Sequence, residues 1–116
     1  MRQLSHPRIE EMTLCGVLGA LSDPMRLTIM GRLADGAEHG WGDFDVDVCP
    51  STLSHHLKAL RLAGLIDHRK EGTRCFVSLR PGVEGRFPGL LASILRFAPA
   101  DDRAGHQPKA PSIEPA

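Results

Sequence analysis

The chain has 116 residues, a length that predicts one small domain with a modest core. Its 14 basic and 14 acidic residues cancel, so the net charge by itself indicates neither a nucleic-acid partner nor a basic substrate. No apolar run is long enough to span a bilayer and the first residues do not resemble a secretory signal, so we expect no membrane association and a cytoplasmic protein.

A first helix is predicted from Pro7 to Gly19. Apolar residues recur at helical spacing through Leu14, Leu18 and Leu21, and further apolar residues fall on neighbouring sides of the helix. A domain of this size has no second core to cover both sides. We therefore expect a second copy of the chain to cover this helix, which predicts a homodimer.

Asp23 and Pro24 predict the start of a second helix, because aspartate is a favoured N-cap residue and proline fits the first helical position. Its apolar pattern continues to Leu33, and Gly36 is expected to end it. Residues 40–44 predict a short, weak helix, since each of their two glycines costs about 1 kcal/mol relative to alanine.

The next helix, from residue 51 to about residue 63, has two chemically different faces. Leu53, Leu57 and Leu60 form a narrow apolar seam, and Gly64 follows where a helix end favours a left-handed residue. The opposite face carries hydroxyls, an imidazole and a cation, whereas His56 lies about 60° from the seam and is expected to pack. Short donors and acceptors suit base edges and phosphates, so the polar face predicts a helix that lies in a DNA groove.

Two extended runs follow, Ile66 to Arg69 and Arg74 to Leu79, and the connection between them contains a glycine and has hairpin length. From residue 51 to residue 86 the chain carries seven cations and three carboxylates, a balance of four positive charges. The five acidic residues between positions 35 and 47 have no cation among them. This segregation predicts a basic face on a neutral molecule.

A last apolar helix is predicted from Phe87 to Leu95. Beyond it the composition shifts to alanine, proline, aspartate and lysine, which is typical of a disordered tail. We therefore expect an N-terminal arm at residues 1–8, a folded domain at 9–97 and a tail at 98–116.

The run from Ser51 to Leu60, the sequence Ala63-Gly64-Leu65-Ile66 and the basic hairpin at 69–74 resemble the most recognisable segment of the ArsR/SmtB family of bacterial winged-helix repressors. The run from Leu18 to Leu27 resembles the family's other signature, and the two motifs come in the family's order. The resemblance covers roughly residues 10–96. It implies a mainly α fold with a β-hairpin wing, a winged helix-turn-helix that is homodimeric through its first and last helices.

The resemblance also implies a sequence-specific transcriptional regulator, a repressor that an unidentified inducer releases from a double-stranded DNA operator. On the predicted recognition helix and wing, the residues expected to reach base edges are Thr52, Ser54 and His55. Those expected to hold phosphates are Ser51, Lys58, Arg61, Arg69, Lys70 and Arg74.

The metal sites known in this family are not matched. Its soft-metal sensors often carry Glu-Leu-Cys-x-Cys-Asp-Leu before the recognition helix, and here Gly40 and Gly42 replace the two cysteines. A second known site needs His and carboxylate ligands on the last helix, and residues 87–95 contain no His, Asp or Glu. We expect no metal and no cofactor.

The odd number of cysteines argues against a disulfide framework, but one of them has a suggestive position. Cys49 immediately precedes the recognition helix, where free N–H groups and the helix dipole favour a thiolate. One alternative is therefore a repressor that senses oxidants or reactive sulfur through Cys49. The competing interpretation of each cysteine, including Cys15 and Cys75, is a small packed hydrophobe.

Two other function classes have less support. There is no glycine-rich phosphate loop, no Gly-x-Ser-x-Gly and no paired carboxylates, so we assign no catalytic residues and expect no enzyme. The other alternative is a winged-helix protein-interaction module that does not read DNA. Such a helix usually presents aromatic or aliphatic anchors, which the face of Ser51, His55 and Lys58 lacks.

Overall fold

A computed structural model of the chain describes residues 2–3, 5–40 and 49–98. Within these ranges no helix combines the length and the apolar composition that a bilayer crossing requires. In chain order the elements are β1 (Arg2–Gln3), a 3-10 turn (Ile9–Glu11), α1 (Leu14–Ala20), α2 (Pro24–Leu33), β2 (His39–Gly40), α3 (Pro50–Leu62), β3 (Ile66–Glu71), β4 (Arg74–Leu79), α4 (Val83–Arg86) and α5 (Leu90–Leu95).

The first helix is shorter than predicted. The 3-10 turn Ile9–Glu11 occupies the expected start, and the Arg8 N–H donates to the Glu11 carboxylate at 2.9 Å. α1 begins after Thr13, whose hydroxyl accepts a hydrogen bond from the Gly16 N–H at 3.0 Å. The continuous helix predicted from Pro7 is therefore wrong before Thr13, because a local cap stops the apolar pattern from extending one helix.

α2 confirms its predicted caps. The Asp23 carboxylate accepts from the N–H groups of Met25 and Arg26 at 2.8 and 3.2 Å, and Pro24 is the first helical residue. At the other end the Gly36 N–H donates to the Leu33 carbonyl at 3.0 Å. These contacts fix both ends of the helix.

The short helix predicted at residues 40–44 is wrong at its first residue, because Gly40 belongs to β2. β2 pairs antiparallel with β4, with Gly40 opposite Phe76. Trp41 to Phe44, the rest of that prediction, lie outside the described residues.

α3 confirms the predicted seam, because Leu53, Leu57 and Leu60 are all buried. Shortly after the last helical residue comes Gly64, which has a left-handed φ of +91°. A Cβ on this residue, Gly64, would also lie 2.6 Å from Cγ of Met12, so both the backbone conformation and the close packing require glycine.

The predicted hairpin is present and longer than expected. β3 extends to Glu71, which pairs with Arg74 across a two-residue turn, whereas the sequence placed the end of the strand at Arg69. The described strands form one antiparallel sheet in the order β1-β3-β4-β2. The extra pairs give the wing two six-residue strands and a tip at residues 70–74.

The core lies between the helices and the inner face of the sheet. α2 contacts α3, β4 and α5, so it connects the recognition helix with the end of the domain. The side chains that are fully buried there are Val17, Ile29, Met30, Leu33, Leu57, Leu60, Leu65, Ile66 and Val77. Together these contacts fix α3 and the wing on one scaffold.

The last helix also differs from its prediction. α5 begins at Leu90 rather than Phe87, because Gly89 has a left-handed φ of +76° and precedes the first helical residue. The short helix α4 comes before it and was not predicted. Ala98, the first residue of the predicted tail, is buried, and residues 99–116 lie outside the described part of the chain. The arrangement of α3, the wing and the flanking helices is a winged helix-turn-helix.

Candidate nucleic-acid interface

The outward face of α3 is polar and accessible. Ser51, Ser54, His55 and Lys58 are exposed, and Thr52 is partly exposed beside them. Because the leucine seam faces the core, these groups point away from it as the sequence predicts. The rings of His55 and His56 lie 5.8 Å apart and are tilted by 55°. The two neighbouring imidazoles have different surroundings, because His55 is exposed whereas His56 is partly buried.

The wing tip, which follows α3 in the sequence, carries exposed cations. Lys70 and Arg74 are exposed on either side of the turn at residues 72–73. The guanidinium of Arg74 lies over the Phe76 ring, 5.2 Å from its centroid. The tip therefore presents two positive side chains beside a largely polar turn, which suits contact with phosphates.

Arg69, a third predicted phosphate contact, is paired within the protein. Its Nε and Nη2 donate to the two carboxylate oxygens of Glu38 at 2.7 and 2.8 Å, and Glu71 lies 3.6 Å away. Its guanidinium also stacks on Phe76 at 4.6 Å. Hydrogen bonding to Glu38 raises the pKa of Arg69 and lowers that of Glu38. This bidentate pair holds the segment before β2 against the outer face of the wing.

Arg61 is likewise turned towards the chain. It is partly buried, and its guanidinium donates to the Ser5 carbonyl. The next residue of the arm, His6, accepts at Nε2 from the His68 N–H at 3.0 Å. The arm therefore lies along α3 and the wing, and Arg2 of β1 pairs with Lys70 of β3.

His56 packs, as predicted, rather than facing outward. Its side chain is 12% exposed, and Nδ1 accepts a hydrogen bond from Arg26 Nε at 3.0 Å. Burial is the largest cause that lowers the pKa of His56, and the nearby Arg26 lowers it further, whereas Asp23 acts in the opposite direction. The ring is therefore held neutral between α2 and α3.

Cys49 occupies the N-cap position of α3 and is exposed. Its Sγ lies 3.3 Å from the Ser51 hydroxyl oxygen and 3.2 Å from that of Thr52. Hydrogen bonds from Ser51 and then Thr52 lower the pKa of the Cys49 thiol to about 7. The two partners of the sulfur are thus themselves predicted DNA contacts.

No three His, Cys, Asp or Glu side chains of residues 5–40 and 49–98 gather as metal ligands. Two possible ligands do contact each other, because Nε2 of His39 lies 3.0 Å from a carboxylate oxygen of Asp35. The residues that follow this pair, 41–48, include Gly42 and Asp43 and lie outside the described part of the chain.

Sequence reasoning missed the residues that hold the interface in place. Arg26 belongs to a motif the sequence singled out, but its partner His56 lies 30 positions away. Glu38 and Arg69 are 31 positions apart, and Ser5 and Arg61 are 56 apart. Helical and strand periodicity reports only which face a residue occupies, so it carries no signal for such pairs.

Comparison with known proteins agrees with this geometry. A profile described as "Bacterial regulatory protein, arsR family" matches residues 44–68, which include α3 and the start of β3. The uncharacterized HTH-type transcriptional regulator YceK of Bacillus subtilis (strain 168) is 35% identical over 82 residues, which cover 67% of this chain and 82% of YceK. The chain belongs to the ArsR family of DNA-binding transcriptional regulators.

Proposed function

We propose that this regulator is a cytoplasmic, homodimeric repressor whose two α3 helices enter successive major grooves of a roughly palindromic operator. The observation that carries the proposal is the polar, exposed face of α3 next to the cationic wing tip. A helix with small hydroxyls and an imidazole outward fits a groove, and cations at its flank fit the phosphates.

The side chains divide into two roles. Thr52, Ser54 and His55 lie on or beside the outward face of α3 and are assigned to base edges. The phosphate contacts are assigned to Ser51, Lys58, Arg61, Arg69, Lys70 and Arg74. Arg61 and Arg69 have protein partners in the free chain, so they would exchange Ser5 and Glu38 for phosphate oxygens on binding.

Dimerisation is supported by apolar side chains that the single chain leaves uncovered. Leu14 and Leu18 lie one helical turn apart on α1 and are 48% and 45% exposed, and Phe97 after α5 is 78% exposed. Residues four apart share one face of a helix, so the two leucines form a continuous apolar surface. A second subunit that covers this surface would bring two recognition helices onto one duplex.

Salt-dependent DNA binding tests the proposal. Lys70→Ala and Lys58→Ala should weaken binding to operator and random duplex alike, and each should reduce the slope of log affinity against log salt by about one, because each lost phosphate contact leaves about one counterion in place. His55→Ala should instead lower the ratio of operator to random affinity. Arg8, an exposed cation paired with Glu11 at 3.7 Å, provides a control: Arg8→Ala should leave the slope unchanged.

The outcomes separate the competing functions. Absence of salt-dependent binding to any duplex would favour the protein-interaction module. If His55→Ala left the operator preference intact while wing variants abolished it, the roles assigned to α3 and the wing would be reversed.

A second candidate function is thiol-based sensing at Cys49, favoured by the shared hydrogen bonds with Ser51 and Thr52. Attack of the thiolate on hydrogen peroxide forms the S–O bond of a sulfenic acid, breaks the O–O bond and releases hydroxide. The two hydroxyls would then lose the sulfur anion as their acceptor at the N-terminus of the reading helix. Peroxide should release wild type from operator but should not release Cys49→Ser. The matched control, Cys15→Ser, should be released like wild type. Equal release of wild type and Cys49→Ser would exclude Cys49.

A further inference from the structure

Arg26 connects α2 to the recognition helix through one directional contact. Its Nε donates to His56 Nδ1 at 3.0 Å, and its Nη1 donates to the Ala20 carbonyl at 3.4 Å. The backbone N–H of the same residue is bound by the Asp23 carboxylate at 3.2 Å. The guanidinium is thus anchored at the corner between α1 and α2 while it reaches α3.

The contact imposes one protonation state on the imidazole. A guanidinium is always protonated and has no acceptor, so Nδ1 of His56 must offer a lone pair. The neutral ring then carries its proton on Nε2. If Nδ1 gained a proton, two donors would face each other and the bond to Arg26 would be lost.

The remaining contacts of α3 with the core restrain its rotation less strictly. The seam is made of Leu53, Leu57 and Leu60, and leucine contacts are not directional. A hydrogen bond on the flank of the seam fixes the angle of the helix about its axis, which decides where the adjacent residue, His55, points.

We propose that Arg26 is a positioning residue for DNA reading, which acts through His56 to fix the rotation of α3 and so the direction of the outward face. This inference rests on the proposed function and deepens it, because it assigns operator specificity to a residue that does not touch DNA. In a dimer, Arg26 and His56 of each subunit would fix the rotation of that subunit's α3.

The proposal carries a pH dependence. The charged and titratable groups that face His56 are Asp23 and Arg26 from α2 and His55 from α3. Asp23 Oδ1 lies 4.0 Å from Nδ1 and becomes its nearest carboxylate partner once the ring is protonated. Because the neutral ring is the form that binds Arg26, operator preference should decline as the pH falls through the pKa of His56.

A double-mutant cycle tests the coupling. The probes are a duplex that the wild-type protein selects from a random-sequence library and a random duplex, and the readout is the affinity ratio. Arg26→Met and His56→Leu each remove one partner at similar volume and should each lower the ratio on the order of tenfold, as the loss of a hydrogen bond to a charged group implies. The double variant should be no worse than either single variant.

His56→Asn provides the matched rescue. The amide oxygen of asparagine is bonded to Cγ, as Nδ1 is in histidine, so it can accept from Arg26 but cannot titrate. This variant should keep the operator preference and lose the part of the pH dependence that wild type shows as the pH falls below 6.5, because burial lowers the pKa of His56 from that ordinary value. Both proteins retain His55, so the comparison reports on residue 56 alone.

A measurement without DNA separates this inference from the proposed function. Nitrogen-15 NMR of the imidazole should show an unprotonated, hydrogen-bonded Nδ1 at His56 in wild type, and the Nδ1 resonance should shift in Arg26→Met, which removes the donor. Additive effects in the cycle, His56→Asn as impaired as His56→Leu, or an Nδ1 resonance that Arg26→Met leaves in place would overturn the positioning role even if wild type binds operator. Wild type that shows the hydrogen-bonded Nδ1 but binds no duplex would instead overturn the proposed function.

Discussion

The reactivity of Cys49 should depend on the hydroxyls of Ser51 and Thr52. With the pKa of the thiol near 7, about half of Cys49 is thiolate at pH 7, against about 1% for a thiol of pKa 9, a difference of about 50-fold. A less basic thiolate is also less nucleophilic, by about eightfold for two pK units at a Brønsted coefficient near 0.45. Cys49 should therefore be alkylated at pH 7 about six times faster than an equally accessible thiol of pKa 9.

Iodoacetamide labelling followed by peptide mass spectrometry measures this rate as a function of pH. The rate at Cys49 should reach half its maximum near pH 7 in wild type. The double variant Ser51→Ala, Thr52→Val removes both hydroxyls and should move that midpoint towards pH 9. Cys15, which is exposed on α1, is the internal reference and should respond identically in both proteins. A midpoint near 9 in wild type, or one that the double variant leaves in place, would refute the reasoning.

Three further expectations concern stability, assembly and metals. Burial lowers the pKa of His68 to about 4, so the unfolded chain takes up a proton first as pH falls, and moving from pH 8 to 5 should cost about 2 kcal/mol of unfolding free energy. Denaturant titration should show that His68→Leu loses this share of the pH dependence. Leu18→Asp should sediment as a monomer with reduced operator affinity, whereas a dimeric variant would exclude the α1 surface. Stoichiometric arsenite, cadmium or zinc should leave the DNA complex intact in a gel shift, since Gly40 and Gly42 offer no side-chain ligands; release would reveal a metal site elsewhere.

Local signals predicted the elements that carry the interface. The Asp23 cap, the leucine seam of α3 and the terminating Gly64 each depend on residues within a few positions, and all three are confirmed. The first helix differs from its local signal. Its apolar spacing runs through Thr13, but the hydroxyl of that residue caps a new helix, and a local hydrogen bond prevails over the periodic pattern.

The partners of individual side chains could not be predicted from the sequence. Arg69 was expected on phosphate because it lies in a basic run, yet Glu38 from a distant segment binds both of its donor nitrogens. Likewise, no pattern in the sequence of the predicted arm indicates that it pairs with β3. Such contacts depend on how β1 and β2 approach the hairpin, which is a property of the tertiary fold rather than of any sequence window.

The sheet order has a consequence for solubility. A free two-stranded wing would expose the backbone of β3 on one side and of β4 on the other, and each row of unpaired N–H and C=O groups is a template for a strand from another molecule. Here β1 pairs with β3 at Arg69 and Lys70, and β2 pairs with β4 at Phe76 and Val77. These pairings occupy part of each edge of the wing and leave fewer free backbone groups for a neighbouring strand, which helps to protect against aggregation a hairpin that must stay exposed to meet its ligand.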